Sequence, residues 1–261
     1  MFAQIKHMAI VSSNVNLEGD FYRDVFQLKR SGLARAGGAV VVRDGYVGLN
    51  LNPRAPGRQA GFDHFGFEVQ DVELVFSRLK EKYPTVRVLK RPANRPFAGI
   101  STHDPAGNVF DLSQQGMENR RDLYVDSDQQ MPRHVGHFAL RVLEPEKLAE
   151  FYRTIFNLTE LEKPAGDANH YLSDGKVTLA IFAWQITDFE GSGIERPALD
   201  HIGFKVESMA AFKADLGKHA STYVPPTDTR PEKNPEREAR QRLFAKCCFG
   251  QFQMSDPDGV L

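Results

Sequence analysis

Residues Asp63–Val69 read DHFGFEV and residues Asp200–Val206 read DHIGFKV, identical at five of seven positions, with histidine second in both. Side chains along an extended strand point to opposite faces in turn. In the first stretch Phe65, Phe67 and Val69 therefore share one face, and His64, Gly66 and Glu68 share the other. The second divides the same way, with Ile202, Phe204 and Val206 opposite His201, Gly203 and Lys205. Each stretch is expected to be a strand with an apolar face for packing and a second face that opens with histidine and then glycine. The glycine is expected to leave room beside the histidine for something else.

The repetition extends outward from these stretches. His7-Met-Ala-Ile followed by FYRDVFQL at Phe21 matches His137-Phe-Ala-Leu followed by FYRTIFNL at Phe151, with 14 residues from histidine to phenylalanine in both. Asp44-Gly45 matches Asp174-Gly175 at the same displacement of 130, which grows to 137 at His64 and His201 and to 152 at the DPAG (Asp104) and DPDG (Asp256) turns. The chain thus reads as a tandem duplication with two insertions in the second copy, which loops accept at small entropic cost. One lies between Asp174 and His201 and contains Gly191–Gly193; the other contains PPTDTRPEKNPEREARQR, whose prolines and mixed charges suit an exposed loop. The polar, weakly periodic QQGMENRRDLYVDSDQQMPR separates the copies, which gives an N-terminal domain at 1–116, a linker at 117–132 and a C-terminal domain at 133–261. The late displacement carries Asp111 to position 263, so the natural gene is expected to continue past Leu261 with an acidic residue two positions on.

Within each copy the elements alternate. Leu17, Phe21, Val25 and Leu28 form one helical stripe, and Leu148, Phe151, Ile155 and Phe156 form its counterpart after Pro145, a residue suited to a helix start. Short strands follow at Ala39–Arg43 and Val47–Leu51, then a second strand from His64, a helix over VELVFSRLKEK and a closing strand over NVFDLSQ. Each half reads β-α-β-β-β twice over. The leading strands carry His7 and Ala9 opposite Met8 and Ile10, and His137, Ala139 and Arg141 opposite Phe138, Leu140 and Val142. Asp111 lies on the polar face of the closing strand. The expected fold class is α+β, with tandem βαβββ modules forming two cupped mixed sheets and helices outside.

Composition narrows the functional classes. With 33 basic against 34 acidic residues in 261, there is no broad electrostatic reason to bind nucleic acid or an anionic membrane, and a small-molecule partner is expected. No apolar run approaches the roughly 20 residues of a membrane span, and MFAQIKHMAIVSS lacks the features of a cleaved leader, so a cytoplasmic protein is expected. Cys247 and Cys248 are adjacent, which excludes a disulfide framework and a cysteine-pair metal site.

The repeated βαβββ modules, the strand-initial histidines, the FYxxxFxL helix and the closing DPxGNxFDL resemble the vicinal oxygen chelate superfamily, which includes glyoxalase I, extradiol ring-cleaving dioxygenases and bleomycin resistance proteins. The resemblance covers almost the whole chain. It implies that two modules form one cup around a divalent metal, held here by His7, His64 and Asp111, with His137 and His201 as the corresponding pair in the second copy. Aspartate stands where the family more often has glutamate. A possible homo-oligomer is also implied, since such modules pair between chains.

Two imidazoles and one carboxylate on one side of a metal leave adjacent positions open, an arrangement suited to Fe(II) or Mn(II). A glyoxalase-like site would need a second acidic ligand, which YVGLNLN lacks. The fused copies are more like extradiol dioxygenases, although Ser101 and Gln253 stand near the positions of that family's tyrosine. The expected function is a metal-dependent, dioxygenase-like enzyme acting on a small aromatic or oxygenated metabolite that chelates the metal. The alternatives are a metal-free, drug-sequestering protein of the bleomycin resistance type and a glyoxalase-type isomerase. Among further candidates, Glu68 is positioned to act as a base and His103 as a proton shuttle. Arg95 and Phe97 fall where a loop would cover the cup, while Arg141 and Lys205 offer positive charge in the second.

Overall fold

The computed structural model describes residues 1–31, 38–92, 99–116, 130–192, 196–223 and 250–260. Arg95, Phe97, the cysteine pair, most of the linker and the charged insertion lie outside them. The N-terminal half runs β1 (Ala3–Ser12), α1 (Val15–Phe26), β2 (Lys29–Arg30), β3 (Val40–Arg43), β4 (Gly48–Pro53), β5 (Gly61–Val69), α2 (Val72–Lys82), β6 (Val88–Lys90), β7 (Ile100–His103) and β8 (Val109–Gln114). This is β-α-β-β-β twice. The C-terminal half runs β9 (His134–Val142), α3 (Pro145–Phe156), β10 (Thr159–Glu160), β11 (His170–Ser173), β12 (Thr178–Ala183), α4 (Ile186–Ser192), β13 (Ala198–Lys205) and α5 (Met209–Lys218).

Eight strands form one mixed sheet in the order β2-β3-β4-β1-β5-β8-β7-β6, and five form a second in the order β10-β11-β12-β9-β13. The histidine strands are neighbours in both, internal in the first sheet and, among the described strands, with β13 at the end of the second: β1 runs antiparallel to β5, and β9 antiparallel to β13. Asn14 caps α1 and Asp71 caps α2 through side-chain bonds to Leu17 and Leu74 backbone N–H groups. Gln27 and Asn157 close α1 and α3 in the left-handed conformation, with φ of 58° and 55°.

The sheets share one core, because each leading helix packs against the opposite half. Phe156 of α3 stacks on Phe67 of β5 with ring centroids 4.3 Å apart, and Phe26 of α1 meets Phe204 of β13 at 4.1 Å. Helices thus lie outside the cups but between the sheets, and the histidine faces point away from the shared core. Burial on two sides also changes the expected helical stripe. In α1 the buried positions are Glu18, Gly19, Phe21, Tyr22, Val25 and Phe26, whereas Leu17 turns to solvent.

The repeated turn residues tie the halves together reciprocally. Asp44 Oδ2 accepts from Val135 N–H at 2.7 Å, and Asp174 Oδ2 accepts from Ile5 N–H at 2.7 Å. Tyr22 donates to Asp256 at 2.9 Å, while Tyr152 donates to Asp104 at 2.7 Å. The same aspartates also accept backbone N–H groups of their own turns, from Ala106 and Asn108 to Asp104 and from Asp258 and Val260 to Asp256. Satisfying buried carboxylates this way offsets their desolvation.

Candidate metal centre

β-Bulges shape the site. On β1, Ile5 faces Phe67 and His7 faces Gly66, so Lys6 is the extra residue; strict alternation resumes at His7, which points into the cup with Ile5 in the core. On β5, Ala9 faces His64 and Ile10 faces Phe62, so Asp63 is extra. Bulges re-aim neighbouring side chains. This one brings Asp63 alongside the histidine that follows it, with Asp63 Oδ2 2.8 Å from His64 Nδ1. The parallel neighbour β8 places Asp111 beside Gly66.

The structure brings His7, His64 and Asp111 together. The Nε2 atoms of His7 and His64 are 3.2 Å apart, and Asp111 Oδ2 lies 3.3 Å from His64 Nε2 and 4.0 Å from His7 Nε2. One donor atom from each residue lies within 4.8 Å of the others, and no other such group of three occurs among the described histidines, cysteines and carboxylates. These separations suit donors that each reach a common ion at roughly 2.0 to 2.2 Å. Two imidazoles and a carboxylate also suit a divalent ion chemically.

Supporting bonds fix how these donors are presented. Asp63 holds the Nδ1 side of His64, leaving Nε2 toward the cup, and Arg58 pairs with Asp63 from behind. Ser101 donates to Asp111 Oδ1, so Oδ2 faces the imidazoles, and Arg91 Nε donates to Ser101 at 3.0 Å. Burial disfavours the imidazolium of His64, but hydrogen bonds and charge from Asp111 and Asp63 outweigh it and push the pKa up to about 9. Burial likewise opposes ionisation of Asp111, yet His64, His7 and Ser101 hold its carboxyl below the usual range.

The other candidates are placed as follows. Glu68 is buried on the cup face, opposite Gln4 and Ser113, four residues along β5 from His64. His103 is occupied by main chain: Arg87 N–H donates to its Nε2 at 3.0 Å, and its Nδ1 lies 2.8 Å from Asp104 O. His137 and His201 meet with Nε2 atoms 3.0 Å apart, and Asp200 holds His201 Nδ1 at 2.9 Å, supported by Arg141 Nε at 3.1 Å. Burial, with the charges of His201 and Lys205, pushes His137 down to about 3. Gly203 does not leave a vacancy, because a Cβ there would lie 1.7 Å from His137 Cε1; the imidazole itself takes the room. A cavity lined by Phe21, Phe26, Phe204, Phe212, Phe252 and Gln253 reaches this histidine pair.

Strand alternation alone does not single out Asp63, Asp200, Arg58, Ser101 or Arg91 as site residues. The sequence did carry a signal for the aspartates, since the quoted DH pair occurs in both copies.

Residues 4–112 match the Glyoxalase/Bleomycin resistance protein/Dioxygenase superfamily, so the N-terminal half is a member of it and has the vicinal oxygen chelate fold. No curated protein matches the chain in sequence. Among solved structures, a Mn(II)-bound glyoxalase from Novosphingobium aromaticivorans aligns with TM-score 0.62 at 16% identity, over 85% of this chain and 71% of that one. The 2,3-dioxygenase LapB from Pseudomonas sp. KL28 aligns with TM-score 0.60 at 17% identity, over 84% and 81%. A fusion of a xylose isomerase-like TIM barrel with 4-hydroxyphenylpyruvate dioxygenase aligns with TM-score 0.59 at 14% identity, over 84% of this chain, which spans 39% of that protein. At these identities the likeness is one of fold. No described helix is long and apolar enough to cross a membrane.

Proposed function

We infer that the N-terminal cup is the centre of a divalent-metal enzyme, dioxygenase-like, acting on a small aromatic or otherwise oxygenated metabolite that chelates the metal. The observation that carries this reading is the convergence of His7 Nε2, His64 Nε2 and Asp111 Oδ2 at one point of the cup. His7, His64 and Asp111 would hold the ion, with iron(II) or manganese(II) the best match to the donors. Such an ion supplies Lewis acidity and, if iron, one-electron chemistry with dioxygen. Three donors on one side favour open positions for a chelating ligand, whereas an isomerase centre with a second carboxylate finds no support in β4, which turns Gly48, Asn50 and Asn52 to this face.

The chain's own residues then have definite tasks. Asp63 keeps a proton on His64 Nδ1 and so keeps Nε2 available as a donor atom. Ser101 occupies Oδ1 of Asp111, which directs Oδ2 inward. The fold neighbours include a Mn(II)-bound glyoxalase and a 2,3-dioxygenase, which supports metal chemistry of one of these two kinds.

The test is anaerobic loading with Fe(II), followed by oxygen-electrode assays on a catechol panel and, separately, an oxygen-free assay on hemithioacetals. Oxygen uptake with ring-opened product is expected; turnover of a hemithioacetal without oxygen would move the protein to the isomerase class. A second reading, ligand sequestration without metal, draws on the aromatic cavity reaching His137 and His201. Ligand binding that survives His7→Ala and leaves no metal requirement would favour it.

A further inference from the structure

Among the described residues, the hydrogen-bond chain behind Asp111 ends in a cation with spare donors. Arg91 follows β6, its backbone N–H donating to Gly99 O at 2.8 Å, and its side chain reaches the Ser101 face of the neighbouring β7. Nε donates to Ser101, which donates to Asp111. Among the described residues, the two terminal nitrogens meet no acceptor and no carboxylate, in contrast to Arg58, Arg133 and Arg141, each paired with an acid. A guanidinium whose Nε is committed still presents its end-on pair of N–H groups, a planar fork that matches a carboxylate bidentately.

Charge points the same way. Two neutral imidazoles and one carboxylate around a divalent ion leave net positive charge, and Arg91 adds a second permanent cation two hydrogen bonds from Asp111. Of the other acids nearby, Asp63 is paired with Arg58, and Glu68 lies four residues along β5 from His64. A chelating ligand with a further negative group would match this distribution better than a neutral one. We propose that Arg91 is the specificity residue of the N-terminal cup, recognising a carboxylate carried by the same small molecule that chelates at His7, His64 and Asp111. This rests on the metal-centre reading above, and the experiment separates the two.

Wild type, Arg91→Gln and Ser101→Ala are loaded with Mn(II) and titrated with 3,4-dihydroxybenzoate and with catechol, followed by calorimetry and Mn(II) electron paramagnetic resonance. Wild type should bind 3,4-dihydroxybenzoate about 10- to 100-fold more tightly than catechol, the range expected from charge-assisted hydrogen bonds. Arg91→Gln should erase that preference by weakening the benzoate far more than catechol, with any loss of Mn(II) affinity falling equally on the two ligands. Ser101→Ala should weaken Mn(II) yet retain a part of the preference, because the guanidinium charge of Arg91 remains although its Nε loses an acceptor. A wild type without preference, a preference unchanged in Arg91→Gln, or one lost equally in Ser101→Ala would overturn the proposal, the last by making Arg91 a support of Asp111 alone. If no variant takes up Mn(II), the metal reading fails, and benzoate titrated into metal-free protein decides the rest. Binding lost in Arg91→Gln would sustain the carboxylate role, and equal or absent binding would end it.

Discussion

Asp63 directly precedes a histidine with which, in a regular strand, it would share no face. The bulge removes that conflict and gives His64 a fixed acceptor at 2.8 Å. The C-terminal cup repeats the device with Asp200 and His201, also across a register shift, yet recruits its arginine from a different place: Arg58 follows β4, whereas Arg141 lies in β9. Histidine placement was legible because alternation and the repeat agree; the role of the aspartates was not, because alternation assigns them to the wrong face. Replacing Asp63 with Asn should weaken divalent-metal binding about 10- to 100-fold, the usual effect of removing such an outer partner, as read by calorimetry. Unchanged affinity would show that the bond does not orient His64. Gly203 offers a second test at this scale. A Cβ there would meet the His137 ring at 1.7 Å, so Gly203→Ala should displace the imidazole and cost about 1 to 3 kcal/mol in denaturant unfolding. Wild-type stability with unshifted His137 resonances would contradict the packing described.

At the scale of elements, α1 is the place where expectation and structure part most clearly. A one-sided helix would bury Leu17, but α1 packs on its own sheet and on the opposite half, which buries Glu18 instead. The repeat partner of Glu18 is Leu148, and that of its neighbour Asp258 is Ala106. Burial, with the charges of Asp256 and Asp258, pushes Glu18 up to about 12. Its folded value thus lies far above the roughly 4.3 of an unfolded glutamate. Stability from this group is fully present below the unfolded value and is lost progressively as pH rises toward the folded one. Glu18→Leu should therefore stabilise the protein at pH 8, with an advantage over wild type that shrinks as pH falls to 5; parallel pH profiles would contradict it. The tyrosines of α1 and α3 give a matched pair. Tyr22→Phe and Tyr152→Phe each remove a hydroxyl donor from a buried aspartate and should cost about 1 to 3 kcal/mol in urea unfolding. A neutral result for both would mean these bonds do not hold the halves together.

Across the whole molecule, the duplicated motifs serve two ends. Their histidines line the two cup faces, while the FY helix, the DG turn and the DPxG turn join one half to the other through bonds between residues far apart in sequence. The α+β class, the order of modules and the two cupped sheets were legible in the spacing of the repeats. The shared core was not, because nothing local in FYRDVF says that Phe26 will rest on Phe204. One continuous core predicts one cooperative unfolding transition, with calorimetric and van't Hoff enthalpies equal; two resolved transitions would contradict it. The central claim concerns the cup of β1, β5 and β8. Its most direct test is elemental analysis of protein purified without chelators, loaded anaerobically with Fe(II) or Mn(II) and gel-filtered. The account predicts one ion per chain in wild type and His137→Ala and none in His7→Ala or Asp111→Ala, whereas an ion retained by Asp111→Ala, or none bound by wild type, would contradict it.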